Sequence, residues 1–568
     1  MRLKTGEAIC RGLNKFSLYL RGKGPELVSG LGGFLLTLSF PNWDIAGLAW
    51  VAPAFILSAV LLDGGRRPFR LGFIAGLVHF LSSLSWLLLI PYRWQGIPLG
   101  PAVGWLALSA YVALYLGAWL WLAWRFLFPV ESSGAVGALA ARLTNFSWLR
   151  RSVWAVFCGA AWVGLEMIRA RLLGGFPWIL LGTSQHTMLP IIQISSWTGV
   201  YGVSFLVVWF SASLFSCSIL CGNSRRGVRL VLGEIAFPVL VMALVYQTGY
   251  RVIMHSRQGA SSRILKAALV QPGIPQEFIW NENETTNRFN KLMELSVQAM
   301  AASPDLLVWP EAAMPAFTRE NMDAIRSLIV TNRVWMIFGA DDAEPRQQPG
   351  KKEEYDFYNA AFLFAPSGDF VATYRKRRLV MFGEYIPWSD WLPFLKWIVP
   401  IGNFAAGSRV VPFSLDHPEA RTAVLICFED VFPHHTGAYA TADMDFLLNL
   451  TNDGWFGKGA AQRQQAVGAL FRSVENRIPL IRCTNNGLTC WIDEFGRMRE
   501  IFRARSGSIF DPGVLQLQIP LLPAGPKRVP TFYNAHGDWF GWICAGVTGF
   551  FGLFISRGKL LSAFRPAH

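Results

Sequence analysis

The feature that most limits this chain is the series of apolar segments filling its first 250 residues. A helix that crosses lipid needs about 20 mostly apolar residues, because it rises only about 1.5 Å per residue through some 30 Å of hydrocarbon. Stretches of that kind fall near residues 26–41, 46–62, 71–91, 101–127, 153–168, 191–221 and 230–249, with an eighth at 537–556. The first two are short and the sixth is long for one crossing. In lipid the backbone must satisfy itself, so the segments are expected to be helices. Composition agrees: 52% of residues are hydrophobic and only 16% charged, with mean hydropathy +0.32, against about 25% charge in soluble domains. The 24 Trp and 42 Phe exclude a disordered chain.

From residue 263 to 519 the character changes. Charges return, and short β-type runs (AALVQ, LLVWP, AAFLFA, AVLICF, FLLNL) alternate with polar, helix-like stretches. The expected organisation is an N-terminal transmembrane domain over 1–250 (about seven helices), an α/β domain over 263–519 and a C-terminal transmembrane helix at 537–556.

Loop charge gives an orientation. With the N-terminus in the cytoplasm, eighteen Lys and Arg fall in cytoplasmic segments, against only Arg93, Arg169 and Arg171 opposite. That is a positive-inside bias, and seven spans then put the polar domain outside the cytoplasm. The net charge of +15 is accordingly an orientation signal and an attraction to anionic lipid. No nucleic-acid-binding pattern accompanies it. The N-terminal stretch is no secretory signal, since Arg11, Asn14 and Lys15 interrupt its apolar run and no cleavage pattern follows. Within the polar domain Cys483 and Cys490 could bridge, which leaves Cys427 unpaired. Glu166 and Arg169, in an apolar helix, are costly there unless they face the bundle interior.

Four apolar runs of the polar domain each end on a reactive or charged group. LLVWPEAAMP delivers Glu311; TYRKRRLVMFGEYIP carries Lys376 and Glu384; AVLICFEDVFP carries Cys427, Phe428 and Glu429; FLLNLTNDGWFG carries Asn452. Groups at strand ends share one rim of a rigid scaffold. A thiol, a carboxylate and an ammonium meeting there suit nucleophilic catalysis: Glu311 takes the thiol proton, Cys427 attacks, and Lys376 faces the developing oxyanion. Each residue also has a plainer reading. Cys427 in AVLICF fits a buried small hydrophobe, Glu311 a helix-start acid, Lys376 one member of a basic patch with Arg375, Arg377 and Arg378, and Asn452 an ordinary turn.

The combination, in this order, resembles the carbon–nitrogen hydrolase (nitrilase) superfamily, whose members carry Glu, Lys and Cys in that order on an αββα sandwich. With spans on both sides it is similar to the apolipoprotein N-acyltransferase family. LEMIRARLLGGFPW (Leu165–Trp178), VQPGIPQEFIWNE around Trp280 and CTNNGLT at 483–489 fit too. The resemblance implies a bacterial inner-membrane enzyme with its catalytic domain in the periplasm. It implies transfer of an acyl chain from a phospholipid, through a thioester on Cys427, to the α-amine of a diacylglyceryl-cysteine on an apolipoprotein. Glu311 would be the base, Lys376 the oxyanion partner, and Glu384 and Glu429 supporting carboxylates, with no cofactor and no metal. Three departures stand out: Phe428 where the family commonly has Tyr, Met381 where it has Pro, and Gln464-Gln465 where it has a Gln-His pair.

Two rivals remain at this stage. A membrane-tethered amidase would share the triad and use water as acceptor. A non-catalytic scaffold on the same fold predicts loss of a triad member, and none is lost. Access suggests a further group: the apolar segment 388–404, with Trp391, Phe394 and Trp397, is expected to form a lid dipping into the lipid interface, with Trp280 on a neighbouring loop.

Overall fold

The computed structural model describes residues 24–91, 99–128, 134–223, 227–255, 263–279, 281–346, 354–387, 391, 404–523 and 527–557. They form two compact units. One takes the residues up to Ser85, Gly104–Val252 and those from Asp538 onward; the other takes Trp86–Val103 and Ile253–Gly537.

The first unit is helical: α1 (Gly24–Leu38), α2 (Ala52–Leu62), α3 (Pro68–Ser83), α4 (Gly100–Leu127), α5 (Val136–Asn145), α6 (Trp148–Arg169), α7 (Val200–Asn223) and α8 (Gly227–His255). Each expected apolar segment of the first 250 residues contains a helix, but not of the expected extent. Among the described residues four helices are long and apolar enough to cross a membrane: α4, α6, Val200–Cys221 of α7 and Gly233–His255 of α8. The expected third span stops at Ser83, and the expected sixth breaks at Gly199, whose φ of 67° ends one helical turn before α7 begins. Small residues permit close crossings: a Cβ on Gly33 would lie 2.1 Å from the Ala75 carbonyl oxygen, and one on Gly72 would lie 2.5 Å from that of Leu116. A buried ion pair, Arg151 with Glu234, ties α6 to α8.

In the second unit two six-stranded sheets face each other. The first has the order β12-β1-β2-β3-β4-β5 and the second β11-β10-β9-β8-β7-β6. Their strands run from β1 (Ile264–Gln271), β2 (Leu306–Val308), β3 (Trp335–Arg346), β4 (Glu354–Phe364) and β5 (Phe370–Arg375) to β6 (Pro412–Asp416), β7 (Glu419–Ile426) and β8 (Phe446–Thr451). The last four are β9 (Leu480–Thr484), β10 (Cys490–Ile492), β11 (Met498–Ile501) and β12 (Gly513–Pro520). Buried along their whole length, β2 reads as a continuous apolar run and β8 as one interrupted by Asn449, rather than as alternations, as central parallel strands should. Helices α9 (Thr285–Met300) and α10 (Arg319–Asn332) cover the first sheet through Leu292, Leu295, Ile325 and Ile329, and α11 (Ala461–Asn476) packs on the second. The result is the αββα sandwich. The last described helix, α12 (Trp539–Arg557), belongs to the helical unit and packs on α6.

Cys483 and Cys490 do not bridge; both are free and buried. Cys490 pairs across the strands with Arg482, so Cys483 one residue on points to the opposite face of the sheet, where its thiol meets the carbonyls of Val270 and Val308 at 3.5 Å.

Candidate active site

Four strand ends supply the site. Glu311 follows β2, Lys376 follows β5, Cys427 follows β7 and Asn452 follows β8, so two come from each sheet. The turns that present them are strained: Ala312 (φ 50°), Phe382 (φ 59°) and Cys427 (φ 55°) all adopt the left-handed region. Such conformations cost about 1–3 kcal/mol each and persist where surrounding structure imposes them.

Glu311 is the hub. Its Oε1 accepts from Asn359 Nδ2 at 2.8 Å and lies 3.4 Å from Lys376 Nζ. Its Oε2 accepts the backbone amide of Asn452 at 2.9 Å. Lys376, 1% exposed, donates to Glu384 Oε1 at 2.8 Å. An ammonium has three donors, so two carboxylates leave one for an incoming oxyanion. Glu384 is held in turn by Asn359 Nδ2 (2.9 Å) and the Val380 amide (2.8 Å). Burial works against the charge on Lys376, but Glu384 and Glu311 outweigh it and raise its pKa, so it is a permanent cation.

The thiol of Cys427 is shifted the other way from an activated cysteine. Burial is the largest cause, the Glu311 charge adds to it, and Lys376 only partly offsets them, so its pKa is raised well above the ordinary thiol value. The resting group is a protonated thiol, which needs a base. Phe428 places its ring 5.6 Å from Lys376 Nζ, a cation–π contact that a phenylalanine makes as well as a tyrosine.

Glu429 has a different task. It is fully buried and accepts from Tyr374 Oη (2.9 Å), the amides of Ile426 (2.8 Å), Arg377 (2.9 Å) and Arg378 (3.0 Å), and pairs with His435 Nε2 (3.2 Å). Burial alone would raise its pKa; His435, the Ile426 amide and Lys376 lower it below the usual carboxylate value. It thus clamps the residues after Lys376 to the residue before Cys427. Asn452 donates to Gln276 Oε1 at 2.8 Å and its Oδ1 accepts from Asn485 at 3.0 Å. Gln465 donates to Asp430 at 3.2 Å and Gln464 accepts from Trp86 at 3.0 Å, so the departure at Gln465 and its neighbour Gln464 make buried structural contacts. Met381 pairs with Tyr385 in the turn that carries Glu384.

Asn359, Tyr374 and His435 were not anticipated. The signal for Asn359 is a lone amide inside the apolar strand run YNAAFLF; Tyr374 and His435 carry no local signal. Of the aromatic group, Trp391 is described and is 87% exposed. Trp280, Phe394 and Trp397 lie outside the described residues. Among the described residues no cluster of His, Cys, Asp and Glu could hold a metal ion.

This geometry stands beside clear relationships. Residues 32–213 match the apolipoprotein N-acyltransferase N-terminal domain, and residues 266–505 match the carbon-nitrogen hydrolase domain. An apolipoprotein N-acyltransferase of Geobacter metallireducens is 34% identical over 91% of this chain and 92% of its own. The chain belongs to the apolipoprotein N-acyltransferase family. Relatives of the same name from Chlorobaculum tepidum (28% identical) and Vibrio vulnificus (27%) each cover 92% of this chain, and 95% and 96% of their own. An amidase from Nesterenkonia sp. aligns structurally with 46% of this chain and 92% of its own, at 16% identity and TM-score 0.34. The protein is therefore a membrane acyltransferase of the carbon–nitrogen hydrolase superfamily, and the curated relatives spanning both units are named for acyl transfer rather than hydrolysis.

Proposed function

We propose that Cys427 is the nucleophile, Glu311 the base and Lys376 the oxyanion partner of a two-step acyl transfer from a phospholipid to an apolipoprotein. Glu311 takes the Sγ proton as sulfur attacks the ester carbonyl carbon. The tetrahedral oxyanion faces the free donor of Lys376. Collapse breaks the ester C–O bond; the lysophospholipid leaves as an alcohol with the proton from Glu311, and a thioester remains. The α-amine of a diacylglyceryl-cysteine then attacks that carbonyl and gives its proton to Glu311. The new amide forms as sulfur leaves and is reprotonated. The observation that carries this reading is Glu311, held by Lys376, Asn359 and the Asn452 amide, in the field of a thiol that burial keeps protonated.

Glu384 and Glu429 act as positioning carboxylates, and the exposed Trp391 as a contact to the lipid interface. Residues 1–250 and 537–556 are the membrane part. The catalytic part, 263–519, lies in the periplasm of a bacterium whose inner membrane holds the enzyme, supported by the loop-charge asymmetry. The test is full-length protein with phospholipid and a diacylglyceryl-cysteine peptide, followed by mass spectrometry. Equal amounts of N-acyl peptide and lysophospholipid are expected. Free fatty acid without N-acyl peptide would make the enzyme a hydrolase instead.

A further inference from the structure

Beside the reacting groups lies a buried ion triad that the acyl transfer described above leaves without a role. The register sets Leu425, Asn449 and Arg482 side by side on β7, β8 and β9, so their side chains share one face of the second sheet. Asn449 Nδ2 donates to the Cys427 carbonyl at 2.8 Å. One strand further, Arg482 is fully buried between two acids that are buried as completely, Asp430 and Asp453. Its Nη1 donates to Asp430 in the turn Cys427–Val431, and its Nη2 lies 3.5 Å from Asp453 Oδ2 in the turn Asp453–Phe456. Asp430 also accepts from Gln465, and Asp453 accepts from Thr451 Oγ1 at 3.1 Å. Arg482 Nε and Nη2 make no hydrogen bond among the described residues, so the guanidinium takes its place from the two carboxylates.

Buried ion pairs add little to stability, and an apolar side chain of similar volume often serves a fold as well. What these charges do is join two turns. Asp430 shares its turn with Cys427, and Asp453 follows Asn452, whose amide holds Glu311 Oε2 at 2.9 Å. We propose that Arg482 is a positioning residue: bound by Asp430 and Asp453, it ties the Cys427 turn to the turn that holds Glu311. The inference rests on the reading of Cys427 as nucleophile and Glu311 as base, since it fixes the thiol against the carboxylate that takes its proton. A misplacement of about 1 Å between reacting groups can cost about 10²-fold in rate. Arginine suits the task because its planar fork reaches two carboxylates in fixed directions, which a compact ammonium does not. Burial pushes Asp430 up to about 6 and Asp453 up to about 7 against the pull of Arg482. The triad therefore tolerates the loss of one acid charge, and Asp430→Asn leaves Arg482 balanced by Asp453.

The test measures single-turnover acylation of Cys427 by a labelled phospholipid in full-length parent, Asp430→Asn and Arg482→Lys. A first-order rate constant is independent of how much enzyme is folded, so a role in stability alone leaves it unchanged. We expect it to fall more than tenfold in both variants. Alkylation of Cys427 by iodoacetamide at pH 9, located by peptide mass spectrometry, needs no base and should be no slower than in the parent. An unchanged acylation constant in either folded variant overturns the proposal. So does a parallel loss of acylation and alkylation, which would mean that the triad shapes the thiol's own turn. If Arg482→Lys does not fold, Asp430→Asn decides by the same two rates. A parent that forms no thioester on Cys427 would refute the nucleophile reading itself and take this inference with it.

Discussion

In the proposed reaction the obstacle at Cys427 is its proton. Burial and the neighbouring Glu311 charge raise the thiol's pKa, so on this reading the nucleophile forms as Glu311 takes the proton. Glu311→Gln keeps the shape and the Asn452 contact but cannot accept a proton; we expect turnover to fall about 10²–10⁴-fold, the usual contribution of a positioned base. Steady-state assay of N-acyl peptide checks this, and a loss under tenfold would remove Glu311 from the role. Alkylation of Cys427 by a neutral thiol reagent should be slow at pH 7 and climb through the alkaline range. A flat, fast rate from pH 6 to 8 would mean a resting thiolate. Lys376→Ala is a poor probe, since it leaves two buried carboxylates uncompensated at about 3–5 kcal/mol. The proposed set of Glu311, Lys376 and Cys427 stands out in the sequence because each closely follows a strand-like run. Tyr374 and His435 do not, because their importance comes from converging on Glu429 from 55 and 6 residues away.

Among the elements, the turns after the strands do the positioning. Gly339 on β3 lies under the Glu311 turn: a Cβ there would sit 2.6 Å from the Pro310 carbonyl oxygen and 2.7 Å from Glu311 Cα. Gly339→Ala should therefore displace the base and lower turnover more than tenfold while the folded state survives, and assay plus thermal unfolding separates the two effects. Unchanged turnover would show that the turn gives way freely. Glu429 supplies a pH dependence. Its folded pKa is depressed, so its stabilisation is complete above the ordinary carboxylate range and is lost as pH falls through the lowered value. The difference in unfolding temperature between parent and Glu429→Gln should be full at pH 7 and shrink below about pH 4; a constant gap would contradict the charged clamp. The strand runs were readable from their apolar content, and α4 from its length. The early end of the third expected span at Ser83 was not: residues 84–91 stay apolar, yet Trp86 bonds Gln464 and stacks edge-on against Phe456 at 4.6 Å, contacts that only the folded second unit supplies.

For the whole molecule, the family relationship and the two-unit architecture put an apolar helical unit and an αββα sandwich in one chain. Reporter fusions after Arg251 and after His568 should fall on opposite sides of the membrane; same-side results would reverse the proposed orientation of the catalytic part. The central claim is that acyl transfer passes through one sulfur. The most direct test is to incubate full-length protein with a labelled phospholipid and no acceptor, quench in acid, and map the label by peptide mass spectrometry. One acyl group should be found on Cys427 in a hydroxylamine-labile thioester, absent from Glu311→Gln and discharged by adding the diacylglyceryl-cysteine peptide. Label on Cys483 or Cys490, or N-acyl peptide formed with Cys427 never acylated, would contradict it.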